Sequence, residues 1–215
     1  MFGITCIARI AHGDAPSIAG HIALGARASS TSDAGYGVVF DDTSSVRVAT
    51  EGLIGLRFGR VVVGLHAGIA TPLKFSSSPQ YDSGEQVAST TSTIYPFDLG
   101  LGVQVDAGGG VWLAAWLGAT VSVTRASSPA MHVSAIDFTG DIPAASWSDR
   151  TTNLGFGVAV GYDFLQNQYG RVAGLVTLES QAIGPIPIRS NSGSTGYESE
   201  SQASRSITIG IAYRY

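Results

Sequence analysis

Ile207-Thr208-Ile209-Gly210-Ile211-Ala212-Tyr213-Arg214-Tyr215 alternates large apolar residues with small or polar ones and stops on an aromatic carboxy terminus. In an extended chain successive side chains point to opposite sides. The stretch therefore predicts a strand with Ile207, Ile209, Ile211, Tyr213 and Tyr215 on one face and Thr208, Gly210 and Ala212 on the other. Chain ends of soluble domains usually fray and are polar, whereas the closing strand of a barrel in lipid has to end in this way.

Composition points to the same solvent. Charged residues make up 13% of the 215, about half the roughly 25% usual for soluble proteins. Mean hydropathy is +0.21, yet no stretch approaches the ~20 consecutive apolar residues of a spanning helix. The longest candidate, residues 110–123, is too short and itself alternates. The 28 glycines disfavour helices and suit turns and close strand contacts. A formal charge of −4 with Lys74 as the single lysine gives no basic footprint for nucleic acid. Cys6 stands alone, so neither a disulfide framework nor a cysteine metal cluster is expected, and no cofactor motif is present. Residues 1–15 read as a lead-in or truncated signal segment: residues 2–10 are modestly apolar, and Gly13-Asp14-Ala15 offers a small-residue cleavage site without a basic leader. Residues 16–215 form the single domain.

Eight segments show period-two alternation. Ile18, Ile22 and Leu24 oppose Ala19, His21, Ala23 and Arg27; Val46, Val48, Ile54, Leu56 and Phe58 oppose Arg47, Glu51 and Arg57. Val61, Val63, Leu65, Ile69 and Leu73 oppose His66, Gly68 and Lys74; Tyr95, Phe97, Leu99, Leu101 and Val103 oppose Asp98, Gly100, Gly102 and Gln104. Leu113, Leu117 and Val121 oppose Trp112, Trp116, Thr120 and Ser122; Leu154, Phe156, Val158 and Val160 oppose Gly155, Gly157 and Gly161; Val172, Val176 and Leu178 oppose Leu175, Thr177, Glu179 and Gln181. The eighth segment is the terminal stripe. Tight turns near Gly59, at 106–110 and at 166–170 alternate with long polar segments at 29–45, 76–90, 125–150 and 185–202. That order is expected of a transmembrane barrel with short periplasmic turns, four long extracellular loops and both termini periplasmic.

A soluble up-and-down barrel shares the periodicity but needs long charged side chains outside. Here the non-apolar face is mostly Gly, Ala, Ser and Thr, which suits a narrow packed lumen. Aromatics also sort by level, with Phe58, Tyr162, Phe164, Tyr213 and Tyr215 at one rim and Tyr95 and Phe97 at the other, as membrane girdles require. The fold expected is all-β: a closed eight-stranded antiparallel up-and-down transmembrane β-barrel.

On these segments and the terminal Ile-x-Ile-x-Ile-x-Tyr-x-Tyr pattern, the chain resembles the small eight-stranded outer-membrane barrels that include the OmpA transmembrane domain, OmpX and OmpW. The resemblance covers residues 17–215. It implies an outer-membrane location, a monomer, contact with outer-membrane lipid and lipopolysaccharide, and a terminal stripe read by the barrel-insertion machinery.

An eight-stranded barrel has a lumen just wide enough for side chains. Aligned from the turns, Glu51, His66 and Asp98 share a middle depth near Trp116, with Glu179 slightly higher and Arg27 and Arg47 higher still. These six residues are expected to form a lumen charge network, because opposite charges in low dielectric must pair. The favoured role is a polar plug in a structural, adhesive or surface-interacting protein; the alternative is a narrow pore or carrier for small solutes or hydrophobic molecules. His66 and Asp98 lie on neighbouring strands within possible hydrogen-bonding reach, with Ser122 as a conceivable nucleophile, but no G-x-S-x-G elbow exists. No enzymatic activity is expected. His12 and His132 fall outside the strands, and His132 with Asp137 and Asp141 matches no zinc spacing, so no metal site is expected. The loops carry acidic points at Asp33, Asp41, Asp42, Asp82, Glu85, Asp137, Asp141, Glu198 and Glu200, where divalent cations could bridge to lipopolysaccharide phosphates. Gly184-Pro185-Ile186-Pro187-Ile188 is expected to lie extended against the upper wall or beside a lateral opening.

Overall fold

A computed structural model describes residues 16–31, 46–77, 90–135, 138–183, 186–189, 195–198 and 202–215. Residues 1–15 with Cys6 and His12, and Asp33, Asp41, Asp42, Asp82, Glu85, Asp137, Gly184, Pro185 and Glu200, lie outside them. The described elements are β1 (Ser17–Thr31), β2 (Val46–Phe58), β3 (Val61–Ala70), β4 (Leu73–Ser77), β5 (Thr90–Gly108), β6 (Val111–Ser128), β7 (Met131–Ala135), β8 (Phe138–Ile142), β9 (Ala145–Gln166), β10 (Arg171–Ile183), β11 (Ile186–Arg189), β12 (Thr195–Glu198) and β13 (Gln202–Arg214).

Eight of these close a ring in the order β1-β2-β3-β5-β6-β9-β10-β13, every neighbouring pair antiparallel. The seam is the opening stripe, on which Ala212 faces Ala23 of β1 and Ala173 of β10. Closure gives each of these eight strands a partner on both sides, while β4 extends beyond the ring, paired with β5 alone. The faces are sorted inversely to a soluble protein. Leu99, Leu101, Leu117, Leu154 and Ile209 point outward and are 57–69% exposed, while Arg27, Asp98 and Glu179 are 1–4% exposed inside. No soluble monomer sustains so continuous an apolar belt. Among the described residues no helix is long and apolar enough to cross a membrane, and the chain crosses with strands instead.

Each tight connection has a local cause. Gly59 adopts φ 62° between β2 and β3, and Gly108, Gly109 and Gly110 take φ of 98°, 62° and 85° between β5 and β6, a region closed to most side chains. Between β9 and β10 the Asn167 side-chain oxygen accepts from the backbone of Tyr169 (2.8 Å) and Gly170 (3.0 Å), a self-contained turn.

Two expectations about the opposite end need correction. The polar segment 125–150 is mostly strand: β6 continues to Ser128, β9 begins at Ala145, and Arg125 faces Ser148 in register. Likewise residues 90–94 belong to β5 and 186–189 pair with 195–198 in a small hairpin. Alternation marks only where one face meets lipid; a strand with water on its outer side needs no apolar face. A lipid crossing takes about 9–11 residues, whereas β9 has 22, so the wall rises well above the apolar belt. The second correction concerns Lys74. It stands opposite Thr93, on the outward face with Tyr95, and is exposed. Pro72 cannot donate to the ladder, and the register slips there: Ile69 faces Phe97, but Leu73 faces Ile94. A slip of one residue exchanges the faces.

Candidate functional site

The closed wall brings the six expected network residues into the bore. Arg27, Arg47, Glu51, His66, Asp98 and Glu179 are each at most 9% exposed. Arg27 and Arg47 are directly opposite each other in register on β1 and β2, an arrangement that repels unless anions intervene. Arg27 turns towards the acids: its Nη2 lies 2.9 Å from Glu179 Oε1 and 3.7 Å from Glu51 Oε2, its Nη1 lies 3.7 Å from Asp98 Oδ2, and its Nε donates to Thr208 Oγ1 at 3.1 Å. Arg47 turns the other way and donates to Ser29 Oγ at 2.5 Å and to the Thr71 carbonyl at 3.4 Å.

Neutral donors hold the carboxylates. Thr177 donates to Glu51 (2.5 Å), Ser206 to Glu179 (3.1 Å), Thr120 to Asp98 (2.8 Å), and Gln181 Nε2 contacts both Asp98 oxygens at 2.9 Å. Gln181 is on β10 and Asp98 on β5, three strands apart around the ring, so this contact crosses the bore. Charged hydrogen bonds in low dielectric are strong once fully partnered.

His66 does not complete a catalytic pair. It stacks on Trp116 at 4.6 Å with the rings 6° from parallel, and its Nδ1 has no hydrogen-bond partner. Asp98 is taken by Thr120 and Gln181, and Ser122 is 2% exposed. The aromatic ring claims His66 because Gly155 and Gly157 of β9 leave room for Trp116. A Cβ on Gly157 would lie 2.3 Å from Trp116 Nε1. His132 and Asp141 face each other across the β7–β8 hairpin, and among the described residues no group of His, Cys, Asp and Glu is arranged to hold a metal ion.

A second cluster, not anticipated from the sequence, closes the turn end. Arg214 pairs with Asp163 at 2.6 Å and with Asp106, and Arg171 reaches Asp163 at 3.2 Å. The Arg214 guanidinium lies 5.1 Å from the Trp112 ring centre, a cation–π contact. With its amide oriented to suit both neighbours, Gln104 donates to His21 Nδ1 (2.8 Å) and accepts from Arg214 (3.1 Å). The signal was present: Arg214 falls on the small-residue face of the stripe. Its partners sit at the ends of β5 and β9, where sequence spacing alone does not align them.

No family model matches the chain, and no curated protein does. Solved structures do. Ail, the attachment invasion locus protein of Yersinia pestis, superposes with a TM-score of 0.51 at 13% identity over 92% of this chain and 98% of its own. The chain has the fold of the small outer-membrane β-barrels. OprG of Pseudomonas aeruginosa gives 0.51 at 12% identity, with 93% and 97% covered. Ail in complex with the heparin analogue sucrose octasulfate gives 0.50 at 12%, with 93% and 99% covered. At these identities the likeness concerns the backbone path; the buried charges of this barrel are read from its own side chains.

Proposed function

We propose that the protein is a monomeric, non-enzymatic outer-membrane barrel with a plugged lumen, whose part in the envelope is structural, adhesive or surface-interacting. The observation that carries the plug is the pair of contacts from Arg27 and Gln181 to Asp98, which join opposite walls of the bore. In this reading the turns and both chain ends are periplasmic and the four long connections face outside. The outward belt supports lipid and the insertion machinery as partners, with lipopolysaccharide in the outer leaflet. The barrel-insertion role of Ile207, Ile209, Ile211, Tyr213 and Tyr215 is supported by their outward, 37–61% exposed placement.

Planar bilayers test the plug. The wild-type barrel is expected to show no steady conductance, and a steady conductance altered in Glu51→Gln would replace the plug with a gated pore. Orientation is tested by impermeant maleimide labelling of Ala130→Cys in a Cys6→Ser background on intact cells. Labelling is expected, because Ala130 is exposed between β6 and β7; protection of this site with labelling only after lysis would invert the topology. Incubation with lipopolysaccharide followed by mass spectrometry is expected to leave its acyl chains unchanged, and a changed acyl pattern would make the protein an enzyme.

A further inference from the structure

The outer wall carries a polar cleft directly above its apolar belt. Across β5, β6 and β9 the outward face is built of aligned rows. Leu101, Leu117 and Phe156 form one, Leu99, Ala119 and Leu154 the next, and Phe97, Val121 and Thr152 the last before the character changes. The row above is Tyr95, Val123 and Arg150. Above that, Lys74, Thr93, Arg125 and Ser148 stand side by side, followed by Thr91, Ser127 and Ser146. Residues between these positions, such as Ile94 and Thr124, are buried inside, so the rows share the outer face.

These rows bound a cleft of about 460 Å³ lined by Thr91, Thr93, Tyr95, Arg125, Ser127 and the two β9 serines. The Arg125 guanidinium sits 5.5 Å from the centre of the Tyr95 ring. Lys74 reaches this row only because of the slip at Pro72. The upper two rows contain hydroxyls and cations and no carboxylate.

The geometry points to a binding site for a phosphorylated sugar headgroup of an outer-leaflet glycolipid. Depth selects the occupant: the cleft begins where the apolar belt ends, on the same face, so what lies against it is what lies above acyl chains. Charge selects the phosphate: Arg125 lines the cleft and Lys74 stands in the same row on the far side of Thr93, so both supply donors for an anion, and the residues that make up the upper two rows include no carboxylate. The hydroxyl rows match sugar hydroxyls, and the Tyr95 ring steers Arg125 along the wall. The site is independent of whether the lumen conducts, but it rests on the orientation proposed above.

The test uses the detergent-folded barrel, with bound lipid counted by native mass spectrometry as bis-phosphorylated lipid A, its dephosphorylated form or phosphatidylglycerol is added. Lipid A is expected to form a one-to-one complex. The Lys74→Gln/Arg125→Gln variant is expected to bind it about tenfold more weakly, the loss of charged hydrogen bonds. Arg60→Gln, at the opposite end of the barrel, is expected to bind as wild type, and retained heat-modifiable migration on gels shows that each variant is folded. Equal binding by the double variant, or by dephosphorylated lipid A, overturns the site; equal binding of phosphatidylglycerol overturns its sugar specificity. Failure of Ala130→Cys to label from outside, with lipid A still bound through Lys74 and Arg125, overturns the orientation instead.

Discussion

Arg27→Met is expected to lower the unfolding free energy of the detergent-folded barrel by about 3–5 kcal/mol, the range for breaking a buried ion pair from one side. Arg27 is 1% exposed and is the cation in contact with Glu51, Asp98 and Glu179. Methionine fills similar space but leaves the three carboxylates facing one another, with Arg47 turned away to Ser29. Thr177, Ser206, Thr120 and Gln181 still donate, so beyond the Arg27 hydrogen bonds to Glu179 and Thr208 the loss is that of the compensating charge. Urea titration in detergent measures it. Adding Glu51→Gln and Glu179→Gln to Arg27→Met is expected to restore part of the stability, because neutral amides remove the stranded charge. A loss of only about 1 kcal/mol, typical of an exposed pair, would mean that the bore is open to water at this level, and the plug reading would fall with it.

Trp112→Ala is expected to cost a similar amount, about 3–5 kcal/mol for a buried tryptophan, by a different route. Trp112 is 0% exposed and packs with Ala23, Ala173, Leu175 and Ala212 across the barrel seam. Its Nε1 has no partner, so the substitution removes packing and the Arg214 cation–π contact without stranding an acceptor. The ring lies over Gly161, directly opposite on β9, where an added Cβ would meet ring atoms at 2.1–2.5 Å. Gly161→Val is therefore expected to destabilise by about 1–3 kcal/mol through overpacking. In the Trp112→Ala background the same Gly161→Val substitution is expected to be tolerated better. A double-mutant cycle in urea detects that coupling, and additive losses would show that the ring does not occupy the glycine groove.

The fold was legible because lipid imposes a strict rule on alternate residues. Leu99, Leu101 and Leu117 announce their outward positions by spacing alone, and Arg27, Glu51 and Asp98 announce theirs by falling between such residues. The same rule fails where lipid ends. Residues 125–128 and 145–150 are strand with water outside, and nothing in their Ser-rich, charged runs marks them. Lys74 stands on the face opposite to the one its alternation predicts, because period two has no memory across Pro72. The Arg214 cluster stayed hidden because it joins strand ends that are distant in sequence.

By itself the sequence determined which residues face lipid, how many times the chain crosses and where the tight turns fall, since these follow from side-chain alternation and from local backbone chemistry. Only the tertiary structure decided which buried charges meet. Pairing across a bore depends on the register of eight strands at once, and one slipped residue moves a side chain to the other face. That is why Arg27 takes Asp98 and Glu179 while Arg47 takes Ser29, why His66 stacks on Trp116, and why Lys74 stands outside beside Arg125.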